Sequence, residues 1–169
     1  ILQDIATETP MARLLQGDVG SGKTVVALLA MLVVVGNGHQ AAIMAPTEIL
    51  ARQHYKTMVS LLARLARSAG HVPAAEDAAA LDALDQALAA NELPDVVSIP
   101  PLPMLPHGVR LARLIGSLKD SGKQAVREGL ASGQVDIVVG THALLEESVA
   151  FDRLAFAVID EQHRFGVMQ

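Results

Sequence analysis

Short apolar runs alternate along this chain with longer stretches whose apolar positions recur at helical spacing. Residues 13–16 read as a strand entering a glycine-rich loop. Residues 23–35 read as a helix apolar on most sides, closed by Gly36-Asn37-Gly38. Residues 40–45 form a second strand. Thr47 then caps a helix running to about Ser68, with Ile49, Leu50, Met58, Leu61, Leu62 and Leu65 as its apolar face. Residues 109–115 read as a strand and 119–132 as a helix that stops at Gly133. Residues 136–139 are a short buried strand, and 154–159 are another that ends on Asp160-Glu161. This alternation predicts an α/β fold, a three-layer parallel sheet with helices on both faces. In such sheets ligands bind at the carboxyl ends of the strands. The glycine-rich loop and Asp160-Glu161 both follow such ends.

Residues 69–108 break the rhythm and read as an insertion. Residues 76–90 are alanine-rich, with Leu81, Leu84 and Leu88 on one stripe, and Pro94, Pro100, Pro101, Pro103 and Pro106 follow. That predicts a short amphipathic helix and a proline-stiffened loop packed on the surface. The insertion also changes the meaning of the net charge of −5, because it carries six acids and no lysine or arginine, while all 13 basic residues lie outside it. Overall acidity therefore does not argue against a nucleic-acid partner for the remainder. Aromatic side chains are few (Tyr55, Phe151, Phe156, Phe165), so contacts with such a partner would go to the phosphate backbone.

At 169 residues, half of them hydrophobic, the chain has the material for one domain with a sizeable core. There is no cysteine, which excludes a disulfide framework and a thiolate metal site and is compatible with a reducing cytoplasm. The longest apolar run, residues 25–35, is too short to span a bilayer, so no membrane role is expected. The first residue is Ile1, not methionine, which suggests a domain cut from a longer chain.

The chemistry is concentrated in Gly17-Asp18-Val19-Gly20-Ser21-Gly22-Lys23-Thr24, which fits the G-x-x-x-x-G-K-[ST] phosphate loop. Glycines at 17, 20 and 22 let successive N–H groups, that of Ser21 included, converge on one anion. The helix behind adds its positive end. Lys23 would reach the β and γ phosphates, and the Thr24 hydroxyl would ligate Mg²⁺. Downstream, Val158-Ile159-Asp160-Glu161 places acids at a strand end. Asp160 can hold Mg²⁺, and Glu161 can polarise the water that attacks the γ-phosphate. Together they predict nucleoside triphosphate hydrolysis. Rival chemistries lack their residues: there is no G-x-S-x-G elbow, no H-E-x-x-H metal helix and no N-K-x-D guanine reader.

Asp160-Glu161-Gln162-His163-Arg164-Phe165-Gly166-Val167 resembles motif II of superfamily 2 helicases, in the form found in RecG-type ATP-dependent DNA helicases. Residues 14–24 resemble motif I of that family. Residues 45–54 (Ala-Pro-Thr-Glu-Ile-Leu-Ala-Arg-Gln-His) resemble motif Ia, residues 115–118 motif Ib, and residues 139–144 the G-T-H segment that precedes motif II. The resemblance implies a RecA-like P-loop lobe spanning residues 1–169, truncated at both ends, that uses ATP and Mg²⁺. It implies a motor working on branched or duplex DNA, such as stalled forks and Holliday junctions, as a monomer in the bacterial cytoplasm and associated with the nucleoid. By carry-over, Lys23, Thr24, Asp160 and Glu161 serve the nucleotide. Gln162 and His163 couple it to DNA, and Thr47, Ser117, Thr141 and His142 meet DNA phosphates. The whole protein would add a second RecA-like lobe with an arginine finger, and a wedge domain. Two alternatives stay open: a transcription-repair coupling translocase, whose relatives typically read D-E-E-H where this chain has Gln162, and a nucleotide-binding docking lobe without motor activity.

Overall fold

The computed structural model describes residues 1–5, 7, 9–18, 20–68, 74–102 and 104–160. Five strands form the sheet: β1 (Gln40–Met44), β2 (Val96–Ile99), β3 (Val109–Leu114), β4 (Ile137–Gly140) and β5 (Leu154–Ile159). Their order is β2-β3-β4-β1-β5. The β3–β4, β4–β1 and β1–β5 pairings are parallel, and β2 runs antiparallel to β3. Helices α1 (Leu2–Ile5), α2 (Lys23–Gly36), α3 (Glu48–Ser68), α4 (Ala75–Ala90) and α5 (Asp120–Ala131) complete the chain, with a 3-10 turn over His142–Leu145. No helix among the described residues is long and apolar enough to cross a membrane.

Side chains alternate across the strands, and the two faces carry separate cores. Ala41, Ile43, Leu111, Ile137 and Val139 face α2, α3 and α4 through Leu28, Met31, Tyr55, Met58, Leu62 and Leu81. Ala42, Ala112, Leu114 and Val138 face α5 through Val126 and Leu130. The three-layer arrangement expected from the sequence is thereby built. Buried Gln40 ties the layers at one corner. Its amide donates to the carbonyls of Leu130 and Val135, and its oxygen accepts the Arg153 N–H. That pairing is what makes a buried amide tolerable.

The register fixes the geometry that matters for function. Leu114 pairs with Gly140, Gly140 with Met44, and Met44 with Ile159. Four strand ends are therefore level, and the segments that follow them leave from one rim.

Three expectations need correcting. Residues 13–16 form no strand, and Leu14 is 72% exposed. A strand needs a neighbour to satisfy its backbone, and these residues pair with no strand of the described sheet. In place of the predicted loop, the proline-rich stretch contributes β2, and Val97, Ile99, Leu102 and Leu105 enter the main core. This stretch is thus part of the sheet as well as a helix and loop. Finally, Ile49 is 78% exposed: it sits in the first turn of α3, off the buried stripe of Ala51, Tyr55, Met58 and Leu62.

Candidate nucleotide and nucleic-acid site

The glycine-rich loop adopts the backbone its sequence demands. Gly20 and Gly22 both have φ of 83°, where side chains other than glycine are strained. A Cβ on either would touch nothing within 4 Å, so the requirement there is conformational. At Gly17 it is spatial, because a Cβ would lie 2.6 Å from Ser21 Oγ. The Ser21 N–H donates to the Asp18 carbonyl at 3.1 Å, closing the turn, and Gly22 caps α2. Lys23 Nζ donates to the carbonyls of Gly17 at 2.5 Å and Asp18 at 2.8 Å. Its charge thus sits against the loop, at the positive end of α2. Thr24 lies half-buried in the first turn of α2.

Asp160 caps the end of β5, its N–H donating to the Met44 carbonyl at 2.9 Å. His54 Nε2–H, reaching down from α3, donates to Asp160 Oδ2 at 2.7 Å. Lys23 and Asp160 form no ion pair with each other: the lysine is turned to loop carbonyls, the acid to His54. Glu161, Gln162 and His163 lie outside the described residues.

The donors here are hard oxygens, a hydroxyl and a carboxylate, which suits Mg²⁺. No cluster of three or more His, Cys, Asp or Glu able to cage a metal occurs among the described residues. Mg²⁺ does not need one, because it keeps waters and substrate phosphate oxygens in its shell.

The remaining predicted residues lie on the level rim. Thr47 opens α3, its hydroxyl accepting the Leu50 N–H at 3.3 Å. Ser117 follows β3. Its N–H donates to Glu48 Oε1 at 2.9 Å, its hydroxyl donates to the other oxygen of that carboxylate, and Arg52 donates to the hydroxyl at 3.0 Å. The Ser117 hydroxyl holds the Glu48 carboxyl below its ordinary range. Thr141 follows β4 and is only 9% exposed, with its N–H on the Leu114 carbonyl. His142 is exposed at the start of the 3-10 turn. Sequence reasoning missed Glu48, Arg52 and His54 as members of the site. The signal available was spacing: Glu48 and Arg52, four apart, share a face of α3, and His54 projects from another.

The family model for DEAD/DEAH box helicases matches residues 3–101. The ATP-dependent DNA helicase RecG of Aquifex aeolicus is 41% identical over 169 residues, all of this chain and 16% of that protein. The protein of the same name from Mycobacterium tuberculosis H37Rv is 44% identical over 170 residues, covering 19% of its length. A solved structure of RecG bound to a three-way DNA junction superposes with a TM-score of 0.64 at 38% identity, covering 99% of this chain and 17% of that one. The chain therefore spans less than a fifth of these relatives.

Proposed function

Because the chain belongs to the DEAD/DEAH box helicase family, we propose that it is the ATP-binding lobe of a RecG-type DNA motor that remodels branched DNA. The observation that carries this reading is the level rim: Thr47, Ser117, Thr141, His142 and Asp160 all follow strand ends held in one register. Hydroxyls and N–H groups so arranged grip phosphates without reading bases, as a motor that must act on any sequence requires.

In this reading Lys23 exchanges the Gly17 and Asp18 carbonyls for the β and γ phosphates of ATP. Gly17, Gly20, Ser21 and Gly22 present their N–H groups to the same anion. Thr24 and Asp160 would hold Mg²⁺, which would neutralise phosphate charge there. Glu161 orients and polarises the attacking water. Gln162 and His163 carry the nucleotide state toward the DNA side. Lobe closure against a second RecA-like domain then moves the DNA. The protein acts as a monomer in the bacterial cytoplasm, near the nucleoid. Residues 69–108 form an insertion within the lobe.

The test is Lys23→Ala in the full-length protein with a three-way junction as substrate. Loss of unwinding together with loss of ATP turnover is expected. A mutant that still unwinds overturns the phosphate-loop assignment.

A further inference from the structure

We propose that His54 is a positioning residue for Asp160, fixing the metal-facing carboxylate from the same helix that Thr47 opens and that holds the Ser117 turn. The inference rests on the reading of Asp160 as a Mg²⁺ carboxylate.

The His54 ring is 15% exposed and Asp160 is 29% exposed, so their 2.7 Å bond is sheltered on one side and open to ligand on the other. A carboxylate at a strand end rotates about its last torsion with little resistance. A bond to Oδ2 removes that freedom and sets the direction in which Oδ1 points. Residues that orient a metal ligand in this way typically matter 10- to 100-fold for metal affinity.

His54 does not act from an isolated loop. Ser117 and Asp160 follow β3 and β5, which stand three strand spacings apart, roughly 14 Å at about 4.8 Å each. Helix α3 bridges that distance. Glu48 and Arg52 hold the Ser117 turn on one flank, while His54, six residues beyond Glu48, holds Asp160 on another. Just beyond these contacts the helix is anchored by Tyr55, Met58, Val59 and Leu62, all fully buried. Tyr55 Oη also donates to the Pro94 carbonyl at 2.8 Å. A helix packed this tightly moves as a unit, and close-packed interiors transmit displacement.

The experiment measures equilibrium binding of a fluorescent non-hydrolysable ATP analogue to the full-length protein, with Mg²⁺ and with a chelator. The variants are His54→Ala, His54→Leu, His54→Gln and Asp160→Asn. Mg²⁺-dependent affinity should fall 10- to 100-fold in His54→Ala and His54→Leu, with metal-free affinity unchanged. His54→Gln, whose amide N–H can still reach Oδ2, should bind as wild type does. Leucine preserves volume, so His54→Leu answers the question should His54→Ala fail to fold. Wild-type Mg²⁺ dependence in both apolar variants, alongside its loss in Asp160→Asn, overturns the inference and leaves the site reading intact. Unchanged Mg²⁺ dependence in Asp160→Asn itself overturns the site reading, and this inference with it.

Discussion

Gly20 and Gly22 owe their identity to backbone sign, and Gly17 owes its identity to room. Alanine at Gly20 or Gly22 should therefore cost about 1–2 kcal/mol of local strain. Nucleotide affinity should fall while the thermal melt moves only slightly, since the loop lies outside the core. Alanine at Gly17 must turn the Ser21 hydroxyl aside, and titration with the fluorescent analogue compares the three. Glu161→Gln should keep ATP binding and stop turnover, read by the same titration beside a phosphate-release assay. Glu48 supplies a pH prediction. Its folded carboxyl is held low by Ser117, so its contribution is complete above the unfolded carboxyl value and fades as pH falls through the lowered one. Glu48→Gln should narrow the difference between urea midpoints at pH 7 and pH 3.5. The glycine loop was legible because its residue types are dictated locally. The bonds of Glu48 and His54 were not, because their partners lie 69 and 106 positions away and only the fold brings them together.

Among elements, β2 shows where pattern reading fails. Val96-Val97-Ser98-Ile99 is a four-residue run bracketed by prolines, and proline argues against a strand. It forms because β2 is the sheet's edge and the prolines, which have no N–H to donate, lie beyond its ends and interrupt no ladder bond. Gly108 makes the return possible: its φ is 73°, and a Cβ would fall 2.2 Å from the Ile99 carbonyl oxygen. Ile99→Ala should cost about 2–5 kcal/mol by denaturant unfolding, far more than a surface insertion would lose. Near-neutral values would show that residues 96–99 are dispensable to the core. The opposite error, at residues 13–16, has a matching cause. Two apolar residues before a glycine resemble a strand, but pairing partners decide, and local sequence does not contain them. Helices α2, α3 and α5 were legible to within a residue or so because caps and 3.6-residue periodicity are local signals.

At the scale of the whole molecule, the alternation of apolar runs was enough to predict three layers, and the level rim required the register. Placing Ser117, Thr141, Thr47 and Asp160 side by side depends on pairings such as Met44 with Gly140 and with Ile159. On the proposed two-lobe reading, this lobe without an arginine finger from its partner should be slow. ATP turnover by these 169 residues alone should fall about 10³–10⁵-fold below that of the full protein, and robust DNA-stimulated turnover would contradict the two-lobe reading. The terminal position of β5 in the sheet has a practical consequence as well. Among the described residues its backbone pairs with β1 alone, and Leu154 and Ile159 are turned outward. An unguarded ladder of this kind recruits strands from other molecules. Solutions of the isolated polypeptide should scatter light increasingly with concentration, and Leu154→Lys should quieten them, because a buried ammonium is what such stacking cannot tolerate.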